Sequence, residues 1–314
     1  MSFKLLSSPL QGFTDFRFRN AFHKYFGGID TFYAPYIRLQ GKLKIKSSYE
    51  LDLLPENNHV PEIIPQVITN DPEEFVFVTK YVQSLGYKEL NWNLGCPYPM
   101  VAKSGMGSGL ICNTTRINEV LDKVHSETDI VVSMKMRMGY DHPSEILETF
   151  KTLDNYPIKN IAIHARIGKQ LYKGGVDLDA FEKCLSGTKH KLYYNGDITD
   201  LESFKQYQNR FKSIDHWMIG RGLIANPFLP SMIKANQSEK PENWLTTFKS
   251  FHDEIFEAYD EYLQGPTPIK MKMRSFWEYF AEMFDNPHKT YKKIKKANNY
   301  VAYQKAIAEI FDEG

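Results

Sequence analysis

Residues 131–165 read VVSMKMRMGYDHPSEILETFKTLDNYPIKNIAIHA. Two short runs, VVSMKM at 131–136 and NIAIHA at 160–165, are largely apolar in both alternating registers. That pattern belongs to strands covered on both faces, as in a parallel sheet sandwiched by helices. Between them Ser144 opens EILETFKTL, whose apolar spacing is helical. The segment therefore predicts one strand–helix–strand unit with parallel strands.

The same alternation extends in both directions. Further β-type runs stand at 4–8, 32–39, 62–68, 89–94, 192–195 and 216–219, beside those at 131–138 and 160–165. Helical stretches lie between most of them. Asp71-Pro72 opens one that Gly86 stops, Asn113 opens another, and Asp200 a third. Eight strands alternating with seven or eight helices predict a (β/α)8 TIM barrel in the α/β class. A doubly wound open sheet is the rival, but no GxGxxG follows the first strand. The connection at 40–60 is irregular. Beyond residue 240 the pattern turns helical: TTFKSFHDEIFEAYDEYL, a break at GPTP (265–268), then IKMKMRSFWEYFAEMF and TYKKIKKANNYVAYQKAIAEIF. The expected organisation is a catalytic barrel over 1–240 and a small C-terminal bundle of three or four helices over 241–314.

Composition limits the function. The 314 residues are 42% hydrophobic, 25% charged and 14% aromatic, with a net charge of +1, which excludes intrinsic disorder. The three cysteines, Cys96, Cys112 and Cys184, are too few for a disulfide framework and suggest a reducing compartment. The apolar run at the start is too short for a signal-peptide core, and no run is long enough to span a membrane. A cytoplasmic protein with no membrane partner is expected. The total charge conceals an asymmetry. Residues 265–314 hold nine Lys/Arg against six Asp/Glu, which leaves 30 against 32 for the rest of the chain. Within 269–296 the balance is eight to three, with Phe276, Trp277, Tyr279 and Tyr291 interleaved. Such a run has the makings of a phosphate-backbone footprint with stacking side chains, or of a solvated face over an aromatic core.

In a barrel the chemistry sits at the C-terminal ends of the strands. There the apolar runs are interrupted by Gln66, by Asn91 and Asn93 with Gly95-Cys96-Pro97, by Lys135 and Arg137, by His164 and Arg166, by Asn195 and Asp197, and by Gly220-Arg221-Gly222. The i, i+2 spacing of Lys135/Arg137 and His164/Arg166 puts each pair on one strand face. The turns NGDITD and IGRGLIANP stand where barrels commonly bind phosphate, and Arg221 adds a cation. With Lys135 and His164 they suggest FMN across the barrel mouth. Cys96 precedes a segment with Gly105, Gly107 and Gly109, expected to be a mobile loop that delivers the thiol as proton donor or nucleophile. Cys184 reads as a buried helical thiol. No CxxC or HxxxH pattern supports a metal site.

The blocks SPLQGFTDFRFR (8–19), LNWNLGCPYPMVAKSGMGSGLI (90–111), MKMRMG (134–139), IHARIGKQLYKGG (163–175), YYNGDI (193–198) and MIGRGLIANPF (218–228) resemble those of the tRNA-dihydrouridine synthases over essentially the whole chain. Family members are flavoenzymes that reduce a uracil base in RNA. The resemblance implies FMN as cofactor, NADPH as reductant and tRNA as partner. It implies that Pro9 and Leu10 line the flavin, that Gln66, Lys135 and His164 bind its ring and ribityl chain, and that Asn195, Gly196, Asp197, Gly220 and Arg221 hold its phosphate. Cys96 is then the general acid for uracil C5. Asn93, Arg137 and Arg166 are assigned to positioning of substrate or flavin, and Lys270, Arg274, Lys292 and Lys293 to RNA. A monomer without metal is expected. Leu10 stands where the family usually has Met, Gln11 where it has Glu or Ala, and HARI replaces the usual HGRT. The competing readings are an FMN barrel that reduces a small free pyrimidine or enone, and a non-catalytic RNA-binding protein on the same fold.

Overall fold

The fold was obtained as a computed structural model that describes residues 2–39 and 41–313; Met1, Gln40 and Gly314 lie outside the described residues. Among the described residues nine strands run β1 (Lys4–Ser7), β2 (Thr31–Tyr33), β3 (Ile63–Ile64), β4 (Gln66–Val67), β5 (Glu89–Leu94), β6 (Val131–Arg137), β7 (Ile161–His164), β8 (Leu192–Asn195) and β9 (His216–Ile219). All pair in parallel, in the order β3-β2-β1-β9-β8-β7-β6-β5-β4. The two ends of that order, β3 and β4, are halves of one run interrupted at Pro65. Proline has no N–H to give a ladder, so the strand breaks there. Its first half pairs with β2 and its second half with β5, and Ile37 bridges to Val67. The ring is thereby an eight-stranded TIM barrel with one broken stave, as the sequence count predicts.

The outer helices are α1 (Phe16–Tyr25), α2 (Ser47–Leu53), α3 (Pro72–Ser84), α4 (Pro99–Ala102), α5 (Thr114–Glu127), α6 (Glu145–Leu153), α7 (Leu178–Cys184), α8 (Leu201–Arg210), α9 (Arg221–Ala225) and α10 (Leu229–Ala235). Their starts follow local chemistry. Asp71 accepts from the Glu73 and Glu74 amides at 2.8 and 3.0 Å, with Pro72 in the first turn of α3. Asn113 caps α5, and Asp200 with Ser203 forms a capping box on α8. Ser144 precedes α6 but makes no capping hydrogen bond among the described residues. The irregular connection contains α2 and a single 3-10 turn, Pro55–Asn57. It is tied to α1 by the buried Arg19, which reaches the Asp52 carboxylate at 3.0 Å and Asn58 Oδ1 at 2.7 Å.

Two apolar clusters result. A small one, Leu6, Tyr33, Ile64, Ala162, Tyr193 and Met218, plugs the barrel interior. The large one lies between the strands and the helices and continues into a C-terminal helical region. That region comprises α11 (Trp244–Tyr262), α12 (Pro266–Phe280), α13 (Pro287–Lys296) and α14 (Tyr300–Glu313). The two long helical runs expected after GPTP are each interrupted. A 3-10 turn at Ala281–Met283 ends the first, and Asn299, accepting from the Ala302 amide at 2.8 Å, starts a new helix within the second. The region docks through aromatic rings: Phe18 stacks on Phe276 at 5.8 Å, and Phe26 meets Phe251 edge-on at 4.7 Å. Among the described residues no helix is long and apolar enough to cross a membrane.

Candidate active site

A cavity of about 320 Å³ opens at the C-terminal end of the barrel. Its walls come from many strands at once: Ser8, Pro9 and Leu10 beyond β1, Lys135 in β6, His164 at the end of β7, Asn195 to Thr199 at the end of β8, and Gly220, Arg221 and Gly222 beyond β9. Nine of the ten residues that sequence reasoning assigned to a flavin share this one wall: Pro9, Leu10, Lys135, His164, Asn195, Gly196, Asp197, Gly220 and Arg221.

The tenth, Gln66, lies behind it, fully buried. Its Nε2 donates to Asn91 Oδ1 at 2.8 Å, and its Oε1 accepts from Asn93 Nδ2 at 2.8 Å. Asn91 in turn donates to Ser133 Oγ at 2.9 Å. This buried network fixes Asn93, whose Oδ1 accepts from the amides of Gly95 and Cys96 at 3.0 and 2.9 Å. Asn93 thus shapes the turn that carries Cys96. The turn is held from its other side by Ser108, whose N–H and hydroxyl both donate to the Cys96 carbonyl. The glycines after Cys96 are there for packing. Gly107 has φ +55°, and a Cβ on it would lie 2.6 Å from Cys96 O; one on Gly109 would lie 2.1 Å from Ala102 O. Residues 99–110, expected as a mobile loop, instead form α4 and a 3-10 turn with Val101 and Leu110 buried. The Cys96 thiol is half-buried, 4.0 Å from the Tyr36 hydroxyl.

The charges of the cavity are arranged by burial. Lys135 makes no hydrogen bond or ion pair among the described residues, and burial, with Arg137 adding repulsion, pulls its ammonium down to about 7. Burial and the cations of Arg137, Lys135, Arg166 and Arg221 hold His164 well below its ordinary value, so the imidazole is neutral. Arg166 Nη1 can only donate, so His164 Nε2 accepts at 3.1 Å and the ring proton sits on Nδ1. Arg166 is committed elsewhere too: it forks onto both carboxylate oxygens of Asp197 and donates to Gly174 O at 2.7 Å. Asp197, at φ +35°, also meets Arg221 Nη2 at 3.4 Å. Arg137 donates to Ile167 O at 2.7 Å, while its buried Nε and Nη2 have no hydrogen-bond partner among the described residues. At the phosphate-like end glycine lets the turns after β8 and β9 pack closely and leaves no side chain of its own: a Cβ on Gly222 would lie 2.4 Å from Ile198 O, and Gly196 sits at φ +148°.

Two aromatic wall residues, Tyr172 and Tyr279, were given no place at the barrel mouth by the sequence, which offered Tyr279 only as a stacking side chain of the basic tail. Tyr172, 48% exposed, lies beneath Arg221 at 4.5 Å and Arg137 at 5.1 Å. Its signal was an aromatic in the basic loop KQLYKGG after a strand ending in HAR. Tyr279 comes from α12, and nothing in the sequence near it points at the barrel. The basic residues of the tail lie off the cavity wall. Lys270 donates to Asn298 O at 2.6 Å, and Lys293 pairs with Glu313 at 2.6 Å. Lys292 and Arg274 are exposed.

Residues 5–312 match the family model described as dihydrouridine synthase. The chain is 29% identical over 204 residues to a probable tRNA-dihydrouridine synthase of Staphylococcus epidermidis, covering 63% of this chain and 61% of that one. It is 30% identical over 225 residues to the probable tRNA-dihydrouridine synthase 2 of Bacillus subtilis strain 168, covering 68% and 67%. Among solved structures, morphinone reductase superposes with a TM-score of 0.54 at 12% identity, over 78% of this chain and 88% of that one. The old yellow enzyme of Trypanosoma cruzi gives 0.52 at 10%, over 79% and 93%. At such identities these two likenesses speak to the fold alone. With its fold, its strand-end residues and a family match over nearly its whole length in agreement, the chain belongs to the dihydrouridine synthase family.

Proposed function

We propose that this protein reduces a uridine of tRNA to 5,6-dihydrouridine, with FMN as bound cofactor and NADPH as the reductant that reloads it. The observation that carries this reading is the single cavity in which nine strand-end residues assigned to a flavin converge, one strand away from Cys96. The residues present fit such a group. Arg221 and the bare backbone at Gly196, Gly220 and Gly222 suit a phosphate. Lys135 suits a site of developing negative charge. The cavity's volume falls in the usual small-molecule range, roughly 300–1,000 Å³.

Bound FMN, once reduced, supplies the hydride for uracil C6. Cys96 then holds the proton for C5 at its Sγ, and Asn93 sets the backbone turn that presents it. Lys135, with no carboxylate partner among the described residues, remains free to take up a proton when an anion forms beside it. His164 offers its Nδ1–H as a fixed donor. Asp197, being anionic, serves the phosphate end indirectly: it holds the two guanidinium groups of Arg166 and Arg221. The exposed ring of Tyr172, with the guanidinium groups of Arg221 and Arg137 against it, suits stacking with a planar base. That base must leave its stack to reach them. The tail's exposed lysines supply the grip on RNA phosphates.

The test is direct. The purified protein should be yellow and should form dihydrouridine in an unmodified tRNA transcript with NADPH. Cys96→Ala should keep flavin and RNA binding while losing about 10²–10⁴-fold in turnover. A colourless protein that binds no FMN overturns the flavin reading. Wild-type turnover in Cys96→Ala overturns the role of the thiol, and turnover of free uracil in place of tRNA overturns the substrate.

A further inference from the structure

The cavity wall is not made by the barrel alone. Tyr279 of α12 is half-buried and stands in it beside Arg221 and Gly222. Its hydroxyl has no hydrogen-bond partner among the described residues, and burial, opposed by the nearby Arg221 cation, pushes the phenol above its ordinary value, so it stays in its neutral, donating form. A neutral hydroxyl next to a guanidinium, at the end of a cavity where the backbone is bare, is a second anion donor.

The same helix grips the cavity from behind. Residues 8–15 form the turn between β1 and α1, and their first three, Ser8, Pro9 and Leu10, are wall residues. The turn is tight: the Leu10 amide donates to Thr14 Oγ1 at 2.9 Å, and the Phe13 amide to Leu10 O at 3.0 Å. Phe13 projects from it into α12 and meets Tyr279 edge-on at 5.5 Å and Phe276 at 5.3 Å. Lys272 of α12 donates to Gly12 O at 2.7 Å, and Tyr259 of α11 donates to Asp15 at 2.7 Å. The turn therefore has the cavity on one side and two helices of the C-terminal region on the other.

We propose that Tyr279 is a cofactor-binding residue supplied by the helical region to the phosphate end of FMN, and that the clamped 8–15 turn makes flavin binding and docking of that region one linked equilibrium. This rests on the flavin reading above. Linkage requires only that the ligand bind the docked form better than the undocked one. A hydroxyl from α12 that touches the ligand meets that condition, because undocking removes it.

Two measurements on the full-length protein test it. Fluorescence quenching gives the affinity of the apoprotein for FMN and for riboflavin, which lacks the phosphate. Tyr279→Phe, which removes only a hydroxyl without a protein partner among the described residues, should weaken FMN about tenfold, the loss of one hydrogen bond to a charged group. It should leave riboflavin unchanged. Equal FMN affinity in wild type and Tyr279→Phe overturns the assignment, as does an equal loss for both ligands. Failure of the wild type to bind FMN at all is a different result and overturns the flavin reading instead. Hydrogen exchange on the unaltered protein tests the linkage: amides of α12 should exchange several-fold more slowly with FMN bound, and an unchanged rate there overturns it.

Discussion

Lys135 is a buried amine without a counter-ion among the described residues, and that arrangement has a measurable cost. Its folded value near 7 lies below the ordinary lysine value of 10.5. Below pH 7 both folded and unfolded chains carry the proton, and the full burial cost applies. Between about 7 and 10.5 the unfolded chain binds a proton that the folded one has released, so stability rises with pH there. Relative to Lys135→Met, the wild-type apoprotein should gain at most about 1.4 kcal/mol per pH unit across that window, read by urea unfolding at pH 7, 8 and 9. A pH-independent difference would mean that the ammonium is not desolvated. Much of the site's inventory was legible at this scale, because polar residues at strand ends break an apolar pattern. Lys135 and His164 stand out from VVSMKM and NIAIHA for that reason. What was not legible was how the residues spend their hydrogen bonds. Arg166 looks like Arg137 in sequence, yet the first is tied up by Asp197, Gly174 and His164 while two donors of the second have no partner among the described residues.

At the level of elements, apolar patterning set the alternation and the caps set the boundaries. Asp71-Pro72, Asn113 and Asp200 start helices where their side chains predict. The misreadings have a common cause: an element's continuity depends on what packs against it. Pro65, with no N–H for the ladder, splits a strand that reads as one run, and its two halves pair with different neighbours. The glycines after Cys96 read as marking a mobile loop and lie at points of close packing, since a missing Cβ permits both mobility and close approach. Gly107→Ala should lower stability by about 2 kcal/mol, because it adds a left-handed backbone penalty to a clash with Cys96 O. Gly175→Ala, with open space and no positive φ, should be near neutral in the same denaturant titration. Equal effects at the two sites would refute the packing role.

For the whole molecule, the charge asymmetry read from the sequence is reshaped by folding. Lys293 is paired with Glu313, and Lys289 approaches the same carboxylate at 3.5 Å. Lys292, Lys295 and Lys296 are exposed and carry no ion pair among the described residues. If RNA uses this face, replacing those three with Ala should flatten the salt dependence of tRNA affinity by about 0.7 for each phosphate left unneutralised, whereas Lys293→Ala should change it less. An unchanged slope in the triple variant would make α13 an ordinary solvated helix.

The turn at residues 8–15 has a consequence for engineering. Grafting another protein's C-terminal helices onto this barrel would set a foreign surface against Phe13 and Gly12 and withdraw Tyr279 from the cavity. The exchangeable unit is thus discontinuous in sequence: the β1–α1 turn has to travel with the helices that hold it. Recombination at a single crossover near residue 240 would separate parts that the fold has made interdependent.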